Sequence, residues 1–477
     1  MTTGLNSKTQ SPAASKSFAL VSTLIVACAF LMDAIDANII VTALPSMAHD
    51  FGTDPVALKI AVTSYVVSLG VFIPVCGWLT DRFSALSVFR AAITIFVLGS
   101  LICAAAPSVH LFTFARFVQG IGGALMVPVG RIIVVRAVPR HQFVRAMNYL
   151  SVSWYIGPVI APLLGGFIAT YLHWRVMFFI NVPIGLAGLY FSGRYISNSR
   201  EPDPGAFDWA GCVLAALGAT GVLLGLSLVD SGIVADSTAW LMFAAGVGFV
   251  GAYVLYARHA SQPVLDLSLF KVPTFRVSVA GGSLFRIGCG AVPFLLPLSL
   301  QIGLGMSAFQ SGLITSASAF GSLFMRPVTA LILRHAGFRS VLIYNAALAG
   351  VATAACGIFS SDTSHLTIWL IVLLGGFFSA LQFTSLNTLV YADIPPASAG
   401  RATSLSSVVQ QVSLGLGVAV GGVVLQISRA LHGHAHLQPS DFWLAFLVAG
   451  LLTVSAIPLV RRLPVEAGMD MLRAKSD

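Results

Sequence analysis

The sequence predicts an all-α membrane protein of about fourteen transmembrane helices with no soluble domain. Three observations lead there. Of 477 residues, 57% are hydrophobic and only 9% are charged, at a mean hydropathy of +0.90; soluble domains carry about 25% charged residues. Long apolar runs recur from Phe18 to Val460, and roughly 20 apolar residues cross a bilayer. Basic residues also alternate regularly between loops, as the positive-inside rule requires.

The predicted spans are 18–43, 56–79, 88–106, 110–132, 145–170, 175–196, 209–229, 238–257, 275–301, 308–333, 339–359, 365–390, 401–427 and 441–460. Residues 1–17 are Ser/Thr/Ala-rich and read as a disordered tail. The first span continues past Val41 and holds Asp33 and Asp36, so it reads as a retained helix and not a cleaved leader. Spans one to six form a first bundle, 18–196. Residues 197–274 form a linker with two extra helices that hold no charge within the membrane. A second bundle covers 275–460, and 461–477 is a tail. Six-helix halves of this kind are usual in secondary transporters.

Loops on one side hold Arg82, Arg90, Arg131, Arg136, Arg140, Arg145, Arg194, Arg200, Arg258, Lys271, Arg276, Arg334 and Arg339, and the C-terminal tail adds Arg461, Arg462, Arg473 and Lys475. The other side has Lys59, Arg175 and Arg429 with Asp50, Asp54, Asp230, Asp236 and Asp362. The first side should face the cytoplasm, with both termini, as in a bacterial inner membrane. The formal net charge of +9 is thus spread over short loops and suggests no nucleic-acid partner. Trp78, Trp174, Trp209, Trp240, Trp369 and Trp443 fit an interfacial belt. Trp154 falls well inside span five, as a packing aromatic or a cavity wall.

Several classes are excluded. No phosphate-binding glycine loop with Lys and Ser/Thr follows any span, so no ATP motor is expected. The cysteines at 28, 76, 103, 212, 289 and 356 lie in apolar stretches without a C-x-x-C pair and read as small hydrophobes. His432, His434 and His436, at alternate spacing in the last outer loop, could bind a metal adventitiously but read better as a solvated loop, with no metal site expected. No nucleophile–base constellation stands out. The chain is expected not to be an enzyme, and no cofactor is expected.

Asp33 and Asp36 are almost the only acids predicted within the bilayer. Charge at that depth is costly and usually marks an ion or substrate path. A spacing of three puts both on one helix face. A carboxylate that alternates between buried and hydrated surroundings could load and release a proton; the alternative is a static ion pair. Arg116 is the natural partner, about 9 Å deep at 1.5 Å per residue, where Asp36 on an oppositely running helix should also lie. Gly120, Gly122 and Gly123 after it would let a neighbour approach closely. Gly157, Pro158, Pro162, Gly165 and Gly166 make span five a bent helix seated against a neighbour.

Arg286, halfway along span nine, would hold an anionic or polar substrate, pair with Asp33 or Asp36, or bond helix carbonyls and Gln301 or Asn387. A substrate site is expected from Trp154, Arg286, Gln301 and Asn387. Arg326 lies near the cytoplasmic end and could snorkel. Gln382, Gln410 and Gln411 add polar groups that could be interhelical bonds. Gly417 and Gly421 read as internal packing rather than a dimer seam.

These segments resemble the major facilitator superfamily, and within it the fourteen-helix drug:proton antiporters of EmrB/QacA type, over nearly the whole chain. The most specific are Asp36 to Pro45, Arg116 to Gly123, Gly157-Pro158 through Gly165-Gly166, and Trp174-Arg175 through Asn181, Pro183 and Gly185. Phe207-Asp208-Trp209 and Pro263 to Phe270 also fit. Pro293 to Gln301 and Gln382 to Asn387 look like the MdtD-like branch. The resemblance implies the major facilitator fold and proton-driven export of small molecules by alternating access, with the chain working as a monomer. It implies coupling roles for Asp36 and Arg116 and places Gly157-Pro158 in the antiporter motif. Asp81-Arg82 resembles the gating loop, with Asp81 latching the cytoplasmic side. The family expects a glycine and two basic residues next; this chain has Ser84-Ala85-Leu86. Apart from Asp441 at the very start of span fourteen, acids are absent from spans seven to fourteen, whereas Arg286 and Arg326 are present. That favours a neutral, zwitterionic or anionic cargo over a purely cationic drug. A facilitator or proton symporter for a specific metabolite, such as an organic anion, would use the same fold; a non-transporting sensor is a further alternative.

Overall fold

The computed structural model describes residues 12–138, 143–196, 207–260, 263–395, 398–434 and 436–468. The side chains of residues 12–19, 81, 136, 137, 143–145, 148, 151, 154, 155, 326 and 399 lie outside that description. The predicted roles of Asp81, Trp154 and Arg326 therefore rest on sequence, as do much of the two tails and parts of the three longer loops.

Among the described residues fourteen long helices follow one another, with ends close to those the hydropathy pattern predicts. They are α1 (Pro12–Ile39), α2 (Lys59–Phe72), α3 (Ala85–Ala105), α4 (Val109–Ala137), α5 (Phe143–Tyr171), α6 (Asn181–Tyr195), α7 (Trp209–Leu228) and α8 (Asp236–Ala257). Then come α9 (Gly282–Leu298), α10 (308–336), α11 (338–355), α12 (His365–Leu389), α13 (Ala399–His432) and α14 (Pro439–Val454). Helices α10 and α11 run together as Ala308–Ala355, a stretch of 48 residues. At 1.5 Å per residue this would be about 72 Å long, more than twice a bilayer core of about 30 Å. Gly337 breaks it with φ 69°, so the chain turns back. Twelve stretches are long and apolar enough to cross a membrane, and α5 contributes the shorter apolar helix Ile156–Tyr171.

Side chains fix several helix starts, as expected where four backbone N–H groups lack partners. Ser108 accepts from Leu111 N, Ser364 from Thr367 N, and Ser307 with Gln310 makes a reciprocal capping box. Asp208 accepts from Gly211 N at 2.8 Å, Tyr256 Oη at 2.6 Å and Val264 N at 3.0 Å, tying α7, α8 and the loop beyond. Ser84 starts α3 with φ 78° and ψ 147°, a backbone region essentially reserved for glycine. This is the position where the family pattern expects one.

Glycines set the closest helix approaches. A Cβ on Gly157 would run into Ala34 of α1, and one on Gly165 into Ile39 and Thr42. On the far side of α5, a Cβ on Gly166 would meet the Ala308 carbonyl, and Gly312 of α10 is pressed against the Pro162 carbonyl. Helix α5 is thus wedged between α1 of the first bundle and α10 of the second, as its Gly/Pro pattern suggests. Gly417 and Gly421 pack on α9, inside the second bundle. Helices α7 and α8 mesh through Gly221, Gly225 and Gly246, and Ser227 of α7 bonds Thr63 of α2 at 2.9 Å.

Two positions differ from the sequence expectation. Trp174 is 2% exposed and packs among Phe51, Phe112 and Phe178, its Nε1 donating to Asp50 at 2.8 Å. The indole is held inside by that carboxylate and does not join the belt. Lys59 is not a loop charge either. It opens α2 fully buried, its Nζ donating to the Val229 carbonyl at 3.2 Å and its stem lying on Gly422 of α13.

Candidate functional site

Asp36 is 1% exposed and sits at the centre of a polar cluster inside the first bundle. Arg116 Nη1 donates to its Oδ2 at 2.6 Å, with both side chains withdrawn from solvent. Gln119, one turn along α4, donates to Asp36 Oδ1 at 2.8 Å, and Asn181 of α6 donates to the same oxygen at 2.7 Å. Gln119 Oε1 accepts from Arg116 at 2.6 Å, and Ser100 of α3 accepts from both amides, at 2.7 Å and 3.1 Å. Two helices, α4 and α6, therefore supply donors to one carboxylate, and Ser100 of α3 accepts from the amides that hold it. A buried charge needs this degree of satisfaction.

Asp33, one turn earlier, is 4% exposed and held differently. Tyr65 of α2 donates to its Oδ1 at 2.6 Å. The Tyr65 ring also lies under Arg116, with the guanidinium carbon 4.4 Å from its centroid. A cation over an aromatic face is attracted by the ring quadrupole, so Tyr65 couples the two acids' surroundings. The close approach is possible because residue 123 has no side chain; a Cβ there would fall 2.5 Å from Asp33 Oδ1 and 2.7 Å from Tyr65 Oη. The predicted Asp36–Arg116 contact is thus present. Tyr65 and Ser100 carried no sequence signal as partners. Gln119 and Asn181 lay in the motif segments, and the i, i+3 spacing of Gln119 from Arg116 could have placed it on the same face.

Beside this cluster lies a cavity of about 470 Å³ between the bundles. Asn38 and Pro158 line it from the first bundle; Pro293, Ser318, Ser322, Phe383, Asn387 and Gln410 are among its walls from the second. No carboxylate is among its described lining residues. Helix α1 connects the two regions, since Asp36 faces the polar cluster while Asn38, two residues on, faces the cavity. Arg286 is 2% exposed and stands behind the wall. Its Nη2 donates to Asn387 Oδ1 at 2.9 Å, and its guanidinium carbon is 5.8 Å from the Phe383 ring centroid. Of the partners weighed for Arg286, the structure selects Asn387, not the two acids and not Gln301. Gln382 bonds Asn345 and the Leu342 carbonyl, an interhelical role.

Gln301 does not line the cavity. It donates to the Thr42 carbonyl at 3.0 Å and joins the end of α1 to the end of α9. The π-helical turn Ser299–Gly303 rotates it away from the face that Pro293 and Leu296 present. It belongs instead to a seal between the bundles at the end that carries Asp50. Phe309 N donates to Thr170 at 3.0 Å there, the Phe309 ring meets Phe167 and Tyr171 edge-on, and Arg429 pairs with Asp54 at 2.7 Å. At the opposite end Arg82 is exposed.

A family model of the Major Facilitator Superfamily matches residues 26–418 and 279–468. A protein named as a transport protein, HsrA, of Haemophilus influenzae is 33% identical over 451 residues, covering 94% of this chain and 96% of that protein. A protein named for multidrug resistance, MdtD, of Salmonella heidelberg is 36% identical over 410 residues, covering 86% of this chain and 87% of that protein. Among solved structures, a D-xylose-proton symporter superposes with a TM-score of 0.68 at 16% identity, covering 94% of this chain and 99% of that one.

Proposed function

The chain belongs to the Major Facilitator Superfamily, a multi-pass membrane transporter of small molecules and not an enzyme, and we propose that it exports its cargo in exchange for protons by alternating access. The observation that carries this reading is the Asp36 carboxylate, buried with Arg116, Gln119 and Asn181 two residues from a cavity-lining Asn38. A carboxylate so placed is a charge store that a proton can discharge. Protonation of Asp36 would remove the charge that Arg116 balances and loosen α1 from α4 and α6. Because α5 is seated directly on α1 and α10, a shift of α1 reaches the interface between the bundles. Asp33, held by Tyr65 alone among the contacts described, would share or relay the proton.

In this reading the Asp50 end faces the exterior and is shut, and the termini face the cytoplasm of a bacterial inner membrane. The bundles 18–196 and 275–460 rock against each other, with Gly157-Pro158 at the pivot and Asp81-Arg82 closing the inner side. The chain works as a monomer. The cavity supplies hydroxyl, amide and aromatic surface, with the Arg286 charge behind Asn387. That chemistry suits an amphipathic neutral or carboxylate compound, taken up beside Asn387 and Trp154.

The test is purified protein in liposomes with an internal pH dye, challenged with cationic, neutral and carboxylate compounds. Wild type and Asp36→Asn are compared. Substrate-triggered proton movement that the variant loses is the expected result. Substrate flux without proton movement in the wild type would overturn the coupling and leave a facilitator, with Asp36 a structural ion pair.

A further inference from the structure

Remote from the cavity, the loop between α13 and α14 gathers three metal-ligating side chains. His432 Nδ1 lies 3.0 Å from Asp441 Oδ1, and His434 Nδ1 lies 2.9 Å from the same oxygen. All three atoms fall within 4.8 Å of one another. Local chain geometry produces this convergence. Gly433 ends α13 in the left-handed region at φ 68°, which folds His434 back beside His432. The two rings stack 5.3 Å apart with 18° between their planes. Asp441 sits in the first turn of α14, where Gln438 N donates to its other oxygen at 2.9 Å. The carboxylate is therefore fixed before any ion arrives. Its side chain is wholly buried, whereas the histidines are 46% and 22% exposed, which leaves a path and an open coordination position on the solvent side.

We propose that His432, His434 and Asp441 form a binding site for a divalent transition-metal ion of the zinc type. Ligand atoms around a tetrahedral zinc ion, each about 2.0–2.2 Å from the metal, stand about 3.3–3.6 Å apart. The observed separations from Asp441 Oδ1 need only a few tenths of an ångström of expansion. The donor set of two imidazoles and one carboxylate selects zinc, nickel or copper over the hard cations calcium and magnesium. The backbone carbonyl of Ser428, 2.9 Å from His432 Nδ1, lies beside the same point. The site departs from the sequence expectation of a solvated loop because Asp441 and Gly433, not the histidine spacing, bring the ligands together. Arg429, which pairs with Asp54 across the bundles, is one turn before His432, so an ion here would brace the helix end that carries the seal.

The experiment is equilibrium dialysis of detergent-purified full-length chain, with any polyhistidine tag removed, against zinc chloride and separately against calcium chloride. Metal is counted by mass spectrometry and the melting temperature is read in parallel. Wild type is compared with His432→Ala/His434→Ala and with His436→Ala, whose side chain lies outside the cluster. Expected are stoichiometric zinc retention and a raised melting temperature in the wild type and in His436→Ala, both lost in the double variant, and no retention of calcium. Both substitutions fall at partly exposed positions, and the double variant's elution profile and metal-free melting temperature verify its fold. Zinc retained equally by the folded double variant, or substoichiometric zinc in the wild type, overturns the assignment. Neither outcome touches the transport reading, which uses other residues.

Discussion

The hydroxyl of Tyr65 donates to Asp33 Oδ1 at 2.6 Å while the ring of the same residue carries the guanidinium of Arg116 on its face. One side chain thus reports the state of one acid to the partner of the other. Tyr65→Phe keeps the ring and removes the donor. It is expected to slow proton-coupled export and alter its pH profile. The same substitution in an Asp33→Asn background is expected to add nothing. Independent, additive effects of the two changes on transport would refute the link.

The Asp36–Arg116 pair is the most deeply buried ion pair described in the chain. Removing one member of such a pair typically costs about 3–5 kcal/mol because the other charge is left unbalanced. Asp36→Asn should stay folded yet melt at a lower temperature. Asp36→Asn with Arg116→Gln should melt higher than either single variant. A double variant less stable than both would show that the pair is not the source of the loss.

Ser84 holds a backbone conformation that costs a residue with a Cβ about 1–3 kcal/mol. Its hydroxyl caps α3 through Ser87 N, but glycine at a helix cap loses only a few tenths of a kcal/mol. Ser84→Gly is therefore expected to raise the melting temperature, and Ser84→Ala to lower it. The reverse order in a thermal scan would mean that the cap outweighs the strain.

Asp54 and Arg429 join the bundles at 2.7 Å with side chains 35% and 22% exposed. Pairs this open contribute about 0–1 kcal/mol. Arg429→Ala should leave stability almost unchanged but shift the balance toward opening of the Asp50 end by up to about fivefold. The readout is thiol labelling of a cysteine placed at Thr170 or Phe309 in a chain whose native cysteines are replaced. Unchanged labelling would remove the pair from the seal.

Arg286 touches Asn387 and Phe383 at the cavity wall. Arg286→Ala should reduce export of carboxylate compounds more than that of neutral ones. An equal effect on both, measured as initial rates in liposomes, would make Arg286 a packing residue. Undiminished carboxylate export would dismiss its proposed role altogether.

Much of the fold was legible because a membrane span is a local property. Apolar length sets each helix without reference to distant residues. The Asp36–Arg116 contact could also be foreseen, since two buried opposite charges at one depth have few other partners. Tyr65 gave no such signal, because a tyrosine in a membrane helix is ordinary until a glycine opposite, here Gly123, opens the space beside it. Gln301 misled for a related reason: the π turn at Ser299–Gly303 shifts the helical phase on which any facing argument depends. Lys59 looked like a loop charge because hydropathy cannot tell a helix end in solvent from one covered by α13.

The walls of the cavity come mainly from α9 to α13, whereas Asp33, Asp36 and Arg116 belong entirely to α1 and α4. Among the described residues, the only lining residue on the helix that bears the two acids is Asn38. If the cavity holds the cargo, as proposed, substitutions at positions such as Ser318, Phe383 or Gln410 would change what is carried without touching Asp33, Asp36 or Arg116. An engineer seeking a new specificity should randomise the second bundle first and leave α1 alone.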